Sequence, residues 1–171
     1  MMRNLTLSVF SIVFMACCCV SGSAQYRDTG KIDTWTIDTV SRLNVPDGVL
    51  RVARATRQAD FDRVVFEFAD GLPSFMVTYP EGSVFDEATG TSVKISGTAV
   101  IEVSFSFDRD QTAKIYQGYP KANLILPLLL EIKDTDGTEG RMAFALGLQA
   151  RRKFRVQTLT NPGRLVIDMK H

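Results

Sequence analysis

Apolar residues recur at every second position through most of the chain beyond residue 48. In 101–107 the apolar set is Ile101, Val103, Phe105 and Phe107, and the positions between are mostly polar. Successive side chains of a β-strand point to opposite faces, so this period of two predicts half-buried strands. The same alternation occurs in these segments: 63–68, 75–79, 128–133, 141–148, 154–159 and 164–169, and more weakly 49–56 and 92–96. In 128–133 it assigns Leu128, Leu130 and Ile132 to the buried face.

Turn-forming sequences separate these segments, among them Asp70-Gly71-Leu72-Pro73 and Asn161-Pro162-Gly163. No convincing long amphipathic helix is present, and the segment 108–121 is predicted to be a loop. About eight or nine short strands at this spacing predict an all-β fold, either an antiparallel β-sandwich or a small barrel.

The first 24 residues have the pattern of an export signal. Arg3 precedes an apolar run from Leu5 to Val20, and the small residues Gly22 and Ala24 precede Gln25. This arrangement predicts a signal peptide cleaved after Ala24, in a periplasmic or secreted protein with no membrane span after removal of the signal. Because Phe14-Met15-Ala16-Cys17 loosely resembles a lipobox, lipid anchoring at Cys17 is the less favoured alternative.

Beyond the signal, residues 25–46 are polar and mixed, which predicts a leader or tether. Ile32, Trp35 and Ile37 are its apolar residues and are expected to dock onto the domain. Pro46-Asp47-Gly48 is a turn signal, so the β-domain is predicted to occupy residues 47–171.

Charge and rare residues exclude several classes of function. Twenty Lys and Arg against 19 Asp and Glu give a net charge of +1, which offers no excess of cations for nucleic acid. The one His is His171, and the three Cys, residues 17–19, lie within the predicted signal. The residues that a Ser-His-Asp triad or a zinc site requires are therefore missing, and we expect no cofactor and no metal.

One basic cluster and two loop tyrosines are the candidate ligand-binding residues. Arg151, Arg152 and Lys153, with Arg155, fill a connection between two strands, and guanidinium groups bind carboxylates and phosphates well. Tyr116 and Tyr119 are candidate stacking surfaces for a sugar or a partner, as is Trp35. The alternative interpretation of the cluster is a solvated hairpin tip.

Two weaker signals point to other chemistry. Asp134–Glu139 resembles part of a calcium loop, although a hairpin loop between two strands explains it as well. Glu67 and Glu102 are strand-borne acids, and a glycan-acting enzyme would need such a pair about 5–10 Å apart.

Three segments together resemble the bacterial AMIN-like domain. They are Phe61–Phe68 (FDRVVFEF), Gly71-Leu72-Pro73 and Phe154–Asp168 (FRVQTLTNPGRLVID). The resemblance covers about residues 47–170. It implies a β-sandwich-like domain exported to the cell envelope, related to the AMIN domains that target peptidoglycan amidases and pilus secretins to the wall or septum.

The AMIN-like resemblance implies no catalytic activity, because no enzyme domain accompanies the β-domain. We therefore expect a non-catalytic cell-envelope binding module whose ligand is peptidoglycan or another wall glycan. The alternative is a protein-interaction subunit that docks on an envelope complex through a strand edge or the leader. A glycan-acting enzyme is the remote alternative.

Overall fold

The computed structural model describes residues 32–43, 48–86, 88–107, 126–135 and 140–171. Nine strands and no helix occur in these ranges. In chain order they are β1 (Val40–Arg42), β2 (Val49–Arg57), β3 (Phe61–Ala69), β4 (Ser74–Thr78), β5 (Ala99–Ser106), β6 (Leu129–Asp134), β7 (Arg141–Leu148), β8 (Phe154–Leu159) and β9 (Gly163–Lys170).

The strands form two antiparallel sheets that stack as a sandwich. Sheet A has the order β1-β4-β5-β7-β6, and sheet B has the order β2-β3-β9-β8. The sheets do not close on each other, so the sandwich prediction is confirmed and the barrel alternative is wrong. Closure would require edge strands of both sheets to pair continuously.

Phenylalanine rings fill the space between the sheets. Phe66 and Phe68 of β3 meet Phe105 of β5 at ring-centroid distances of 5.3 and 4.9 Å. Phe66 also contacts Phe144 of β7 at 5.0 Å, and all four rings are fully buried. Burial of each ring contributes about 1.5–3 kcal/mol, so these four hold much of the energy that joins the sheets.

The face assignment predicted for 128–133 is wrong at Leu130. A β-bulge between Leu129 and Glu131 shifts the register of β6 against β7. As a result Leu129 and Ile132 are buried, whereas Leu130 is only half-buried. A bulge inserts one residue into a strand without a distinctive residue type, so the alternation of apolar residues does not reveal it.

The residues before β1 lie against the outer edge of β8. Thr36 pairs with Phe154 through two backbone hydrogen bonds of 2.8 Å, and the Asp33 amide donates to the Val156 carbonyl at 2.7 Å. The chain then crosses to sheet A, where β1 pairs with β4. Part of the predicted tether is therefore built into the sandwich and covers an edge of sheet B.

A buried carboxylate links the two sheets at one end. Asp62 lies on the core-facing side of β3 and is fully buried. Its Oδ2 accepts hydrogen bonds from the backbone amides of Leu128 and Leu129, at 2.7 and 2.8 Å, at the start of β6 in sheet A. Its Oδ1 lies 2.9 Å from Nε2 of His171. One side chain of sheet B therefore satisfies two buried amides of sheet A.

Replacing Asp62 by Ala is expected to destabilise the protein by about 2–5 kcal/mol, because two buried amides lose their acceptor. Asp62→Asn keeps one acceptor oxygen and should lose less. Urea unfolding of the purified protein measures both changes. The exposed Asp60→Asn is the control and should stay within about 0.5 kcal/mol of wild type. A similarly small effect of Asp62→Ala would contradict the role given to this carboxylate.

Candidate functional site

The cationic cluster of the sequence lies in a crossover between the two sheets. Residues 151–153 connect β7 of sheet A to β8 of sheet B, and these strands do not pair with each other. The connection is therefore not a hairpin, which corrects that part of the alternative interpretation. Arg151, Arg152 and Lys153 are all exposed.

Tyr79 fixes the conformation of this crossover. Its phenolic hydroxyl donates to the carbonyl of Arg152 at 2.6 Å and accepts from the Arg152 amide at 3.1 Å. The guanidinium of Arg151 lies over the Tyr79 ring, 4.6 Å from its centroid. Burial raises the pKa of Tyr79, although the backbone hydrogen bond and Arg151 act in the opposite direction. The hydroxyl therefore keeps its proton and its donor role at neutral pH.

The end of β9 brings a fourth cation to the crossover. The amide of Lys170 donates to the carbonyl of Lys153 at 3.0 Å. A shallow groove of about 320 Å³ is lined by these six residues: Ile37, Arg151, Arg152, Lys153, Lys170 and His171. No acidic side chain lines it. We call Arg151, Arg152, Lys153 and Lys170 the basic patch.

Arg155, the fourth cation predicted for the site, has a different environment. Its Nη2 lies 2.6 Å from Oδ2 of Asp168 and its Nη1 lies 3.6 Å from Oδ1 of Asp33. Its guanidinium lies over the ring of Trp35, 4.8 Å from the centroid. Arg155 is thus already paired, and its position suits holding Trp35 in place.

Asp168 anchors this part of the outer face of sheet B. Its carboxylate is fully buried and accepts from Nε and Nη2 of Arg63 at 2.7 and 3.0 Å, in addition to Arg155. The hydrogen bond to Asp168 raises the pKa of Arg63 despite the cost of burial. Two guanidinium groups therefore cover one carboxylate, and this part of the sheet is a closed ion-pair network.

Trp35 lies beside the basic patch. A neighbouring groove of about 470 Å³ includes Trp35, Phe61 and Arg155, together with Lys170 and His171, which also line the first groove. The Trp35 ring meets Phe61 edge-on at 6.0 Å. The structure therefore joins the basic patch to one of the three predicted aromatics. Tyr116 and Tyr119 lie outside the described residues.

The predicted acidic pair is not brought together. Glu67 lies on the outer face of sheet B, where it pairs with Arg54 at 3.3 Å. Glu102 is on β5 of sheet A, between the core residues Ile101 and Val103, and so points to the opposite outer face. Packed sheets are about 10 Å apart, so outward carboxylates of two sheets exceed the separation that glycosidases use.

The calcium interpretation also finds no support in the described residues. Leu129–Asp134 and Arg141–Leu148 pair as a hairpin, as the simpler interpretation requires. Positions 136–139 are outside the described ranges. Within those ranges no group of three or more His, Cys, Asp or Glu could hold a metal ion.

A larger concavity at the other end of sheet B was not predicted. It has a volume of about 560 Å³, and Arg42, Asp70, Leu159 and Asn161 contribute to its walls. Arg42 donates to the Thr158 hydroxyl at 3.1 Å.

Close backbone contacts form the base of this cleft. A Cβ on Gly163 would lie 2.6 Å from the carbonyl oxygen of Gly71, so glycine is required at residue 163. Both turns that form this base, Gly-Leu-Pro and Asn-Pro-Gly, could be identified in the sequence. Their convergence was not apparent, because these turns are about 90 positions apart along the chain.

Replacing Tyr79 by Phe is expected to destabilise the protein by about 1–3 kcal/mol, because the Arg152 backbone loses both hydrogen bonds to the hydroxyl. Thermal unfolding or urea unfolding measures this change. Arg151→Met is the comparison, since it removes the cation over the ring but keeps the hydroxyl, and should cost about 1 kcal/mol or less. Equal stability of Tyr79→Phe and wild type would contradict the role of the hydroxyl.

The fold and the site describe a β-sandwich module with an exposed basic patch where the chain crosses from β7 to β8. The family model of the AMIN-like domain matches residues 48–171, so the chain belongs to the AMIN-like domain family. This membership suggests an envelope-associated module, and AMIN-like domains are generally non-catalytic and typically periplasmic. No curated protein and no solved structure matches the chain significantly. No helix among the described residues is long and apolar enough to cross a membrane.

Proposed function

We propose that the protein is an exported, non-catalytic module that binds an anionic cell-wall glycan, with peptidoglycan as the first candidate. The observation that carries this proposal is the basic patch. Its four cations adjoin one groove, and none of the residues that line that groove is acidic. Uncompensated guanidinium and ammonium groups favour a ligand that carries carboxylates or phosphates.

The chemistry of peptidoglycan suits such a surface. Its stem peptides carry carboxylates that repeat along the polymer, so weak individual ion pairs add up through multivalency. Trp35 lies in the adjoining groove and offers an apolar ring for the C–H face of a sugar. An exposed ion pair contributes only about 0.2–1 kcal/mol, so binding would be weak for a fragment and appreciable for the intact sacculus.

The first test is co-sedimentation of the purified protein with isolated sacculi. We expect pelleting at low salt that decreases at high salt, because the contacts are exposed and screened. Arg151→Ala with Arg152→Ala should reduce binding by about fivefold or more, the effect of losing two exposed pairs. Lys94→Ala with Lys133→Ala removes one cation from the segment before β5 and one from β6, and should leave binding unchanged. An equal loss in both double variants would contradict the assignment to the basic patch.

A variant of Trp35 separates glycan recognition from simple charge attraction. Trp35→Leu leaves every charge of the basic patch in place. Weaker pelleting of this variant would support stacking on a sugar. Unchanged pelleting would indicate that charge attraction alone accounts for the binding. Absence of pelleting at either salt concentration, with co-purification of an envelope protein, would favour the alternative of a protein-interaction subunit.

Export is part of this proposal, and it rests on the first 24 residues. Expression of the full chain in a bacterial host, followed by mass spectrometry of the recovered protein, should give an N-terminus at Gln25. A lipid-modified N-terminus at Cys17 would instead show that the protein is anchored to a membrane. Recovery of the uncleaved chain from the cytoplasm would contradict export.

A further inference from the structure

Strand β2 is an edge strand of sheet B. It runs for nine residues, from Val49 to Arg57, and pairs only with β3. No residue in the described part of the chain pairs with its other side. An edge of this kind presents a row of backbone N–H and C=O groups that can accept one further strand.

The opposite edge of the same sheet, strand β8, is partly covered by another segment of the chain. There the backbone at Asp33 and Thr36 forms three hydrogen bonds to β8, between 2.7 and 2.8 Å long. A short segment of this chain, which forms an isolated β-bridge at Thr36, therefore already covers part of the β8 edge through backbone hydrogen bonds. The β2 edge has the same backbone chemistry without a described occupant.

Three arginines mark the β2 edge. Arg51, Arg54 and Arg57 are all exposed. Arg54 pairs with Glu67 at 3.3 Å, whereas the side chains of Arg51 and Arg57 make no ion pair or hydrogen bond with any described residue. Arg51 is the extra residue of the β-bulge between Leu50 and Val52, so the register of the strand leaves it without a partner on β3.

These charges decide which kind of strand the edge accepts. Two copies of β2 placed edge to edge would bring arginines together, and like charges on adjacent strands are destabilising. An extended segment that carries Asp or Glu gains attraction at the same positions. The arginines therefore act against self-association and favour an acidic occupant.

We propose that the β2 edge is a docking site for an extended, acidic segment of a partner protein, which would add a fifth strand to sheet B. Backbone hydrogen bonds would supply most of the affinity, and Arg51 and Arg57 would select for acidic side chains. This surface is separate from the basic patch, because β2 and β8 are the two opposite edges of sheet B. The inference therefore stands whether or not the protein binds a wall glycan.

The test uses a labelled peptide of alternating glutamate and valine, about ten residues long, which matches the length of the strand. Its binding to the full-length protein is followed by fluorescence anisotropy at low salt. A second peptide has the same sequence and charge but carries N-methyl groups on alternate backbone nitrogens. We expect the first peptide to bind and the methylated peptide to bind at least about tenfold more weakly, because strand addition needs the backbone N–H groups.

Charge reversal then tests the selecting residues. Arg51→Glu with Arg57→Glu leaves the Arg54–Glu67 pair intact and should weaken binding at least about tenfold, since attraction becomes repulsion. Lys94→Glu with Lys133→Glu makes the same change in charge in the segment before β5 and on β6, and should have no effect. Absence of binding at millimolar peptide, equal binding of the methylated peptide, or an equal effect of the two double variants would each overturn the proposal.

Discussion

The packing of four phenylalanine rings between the sheets is the constraint on which the rest of the molecule depends. Phe66 and Phe68 from sheet B meet Phe105 and Phe144 from sheet A, and all are fully buried. Because side chains alternate along a strand, committing these residues to the core commits their neighbours to the outer faces. The core therefore determines where polar chemistry is available, which is on the two outer faces, at the strand edges and in the connections.

Two buried carboxylates of the sandwich stabilise the fold. Asp62 points into the sandwich, and both of its oxygens are engaged. Asp168 points outward but is covered by Arg63 and Arg155. A buried carboxylate with such partners is costly to disturb and has little capacity left for a ligand. Binding is therefore better sought among cations without acidic partners, and the basic patch meets this condition, as do Arg51 and Arg57 of the β2 edge.

Much of the fold followed from the period of two in the sequence, because each inner face is apolar and each outer face is largely polar. Two predictions were wrong for the same reason, namely the buried position of Leu130 and the hairpin at residues 151–153. Bulges and strand order are set by pairing between distant segments, which the local pattern does not show. Arg151–Lys153 could be found as a local cluster, whereas Lys170 and Trp35 join it only through β9 and the segment before β1. Asp62 had a usable signal, because it continues the core-facing series of Val64, Phe66 and Phe68.

The fold separates paired charges from unpaired ones, and the net charge does not show this separation. A net charge of +1 gave no reason to expect a nucleic-acid ligand, because acids and bases nearly cancel along the chain. In the folded protein the acids Glu67 and Asp168 lie on the outer face of sheet B and are paired with arginines there. Cations without acidic partners then lie on both sides of the same sheet, as the basic patch on one side and as Arg51 and Arg57 on the other. Under the two proposals above, the sandwich binds one anionic partner on each side of sheet B and thereby links two components of the envelope.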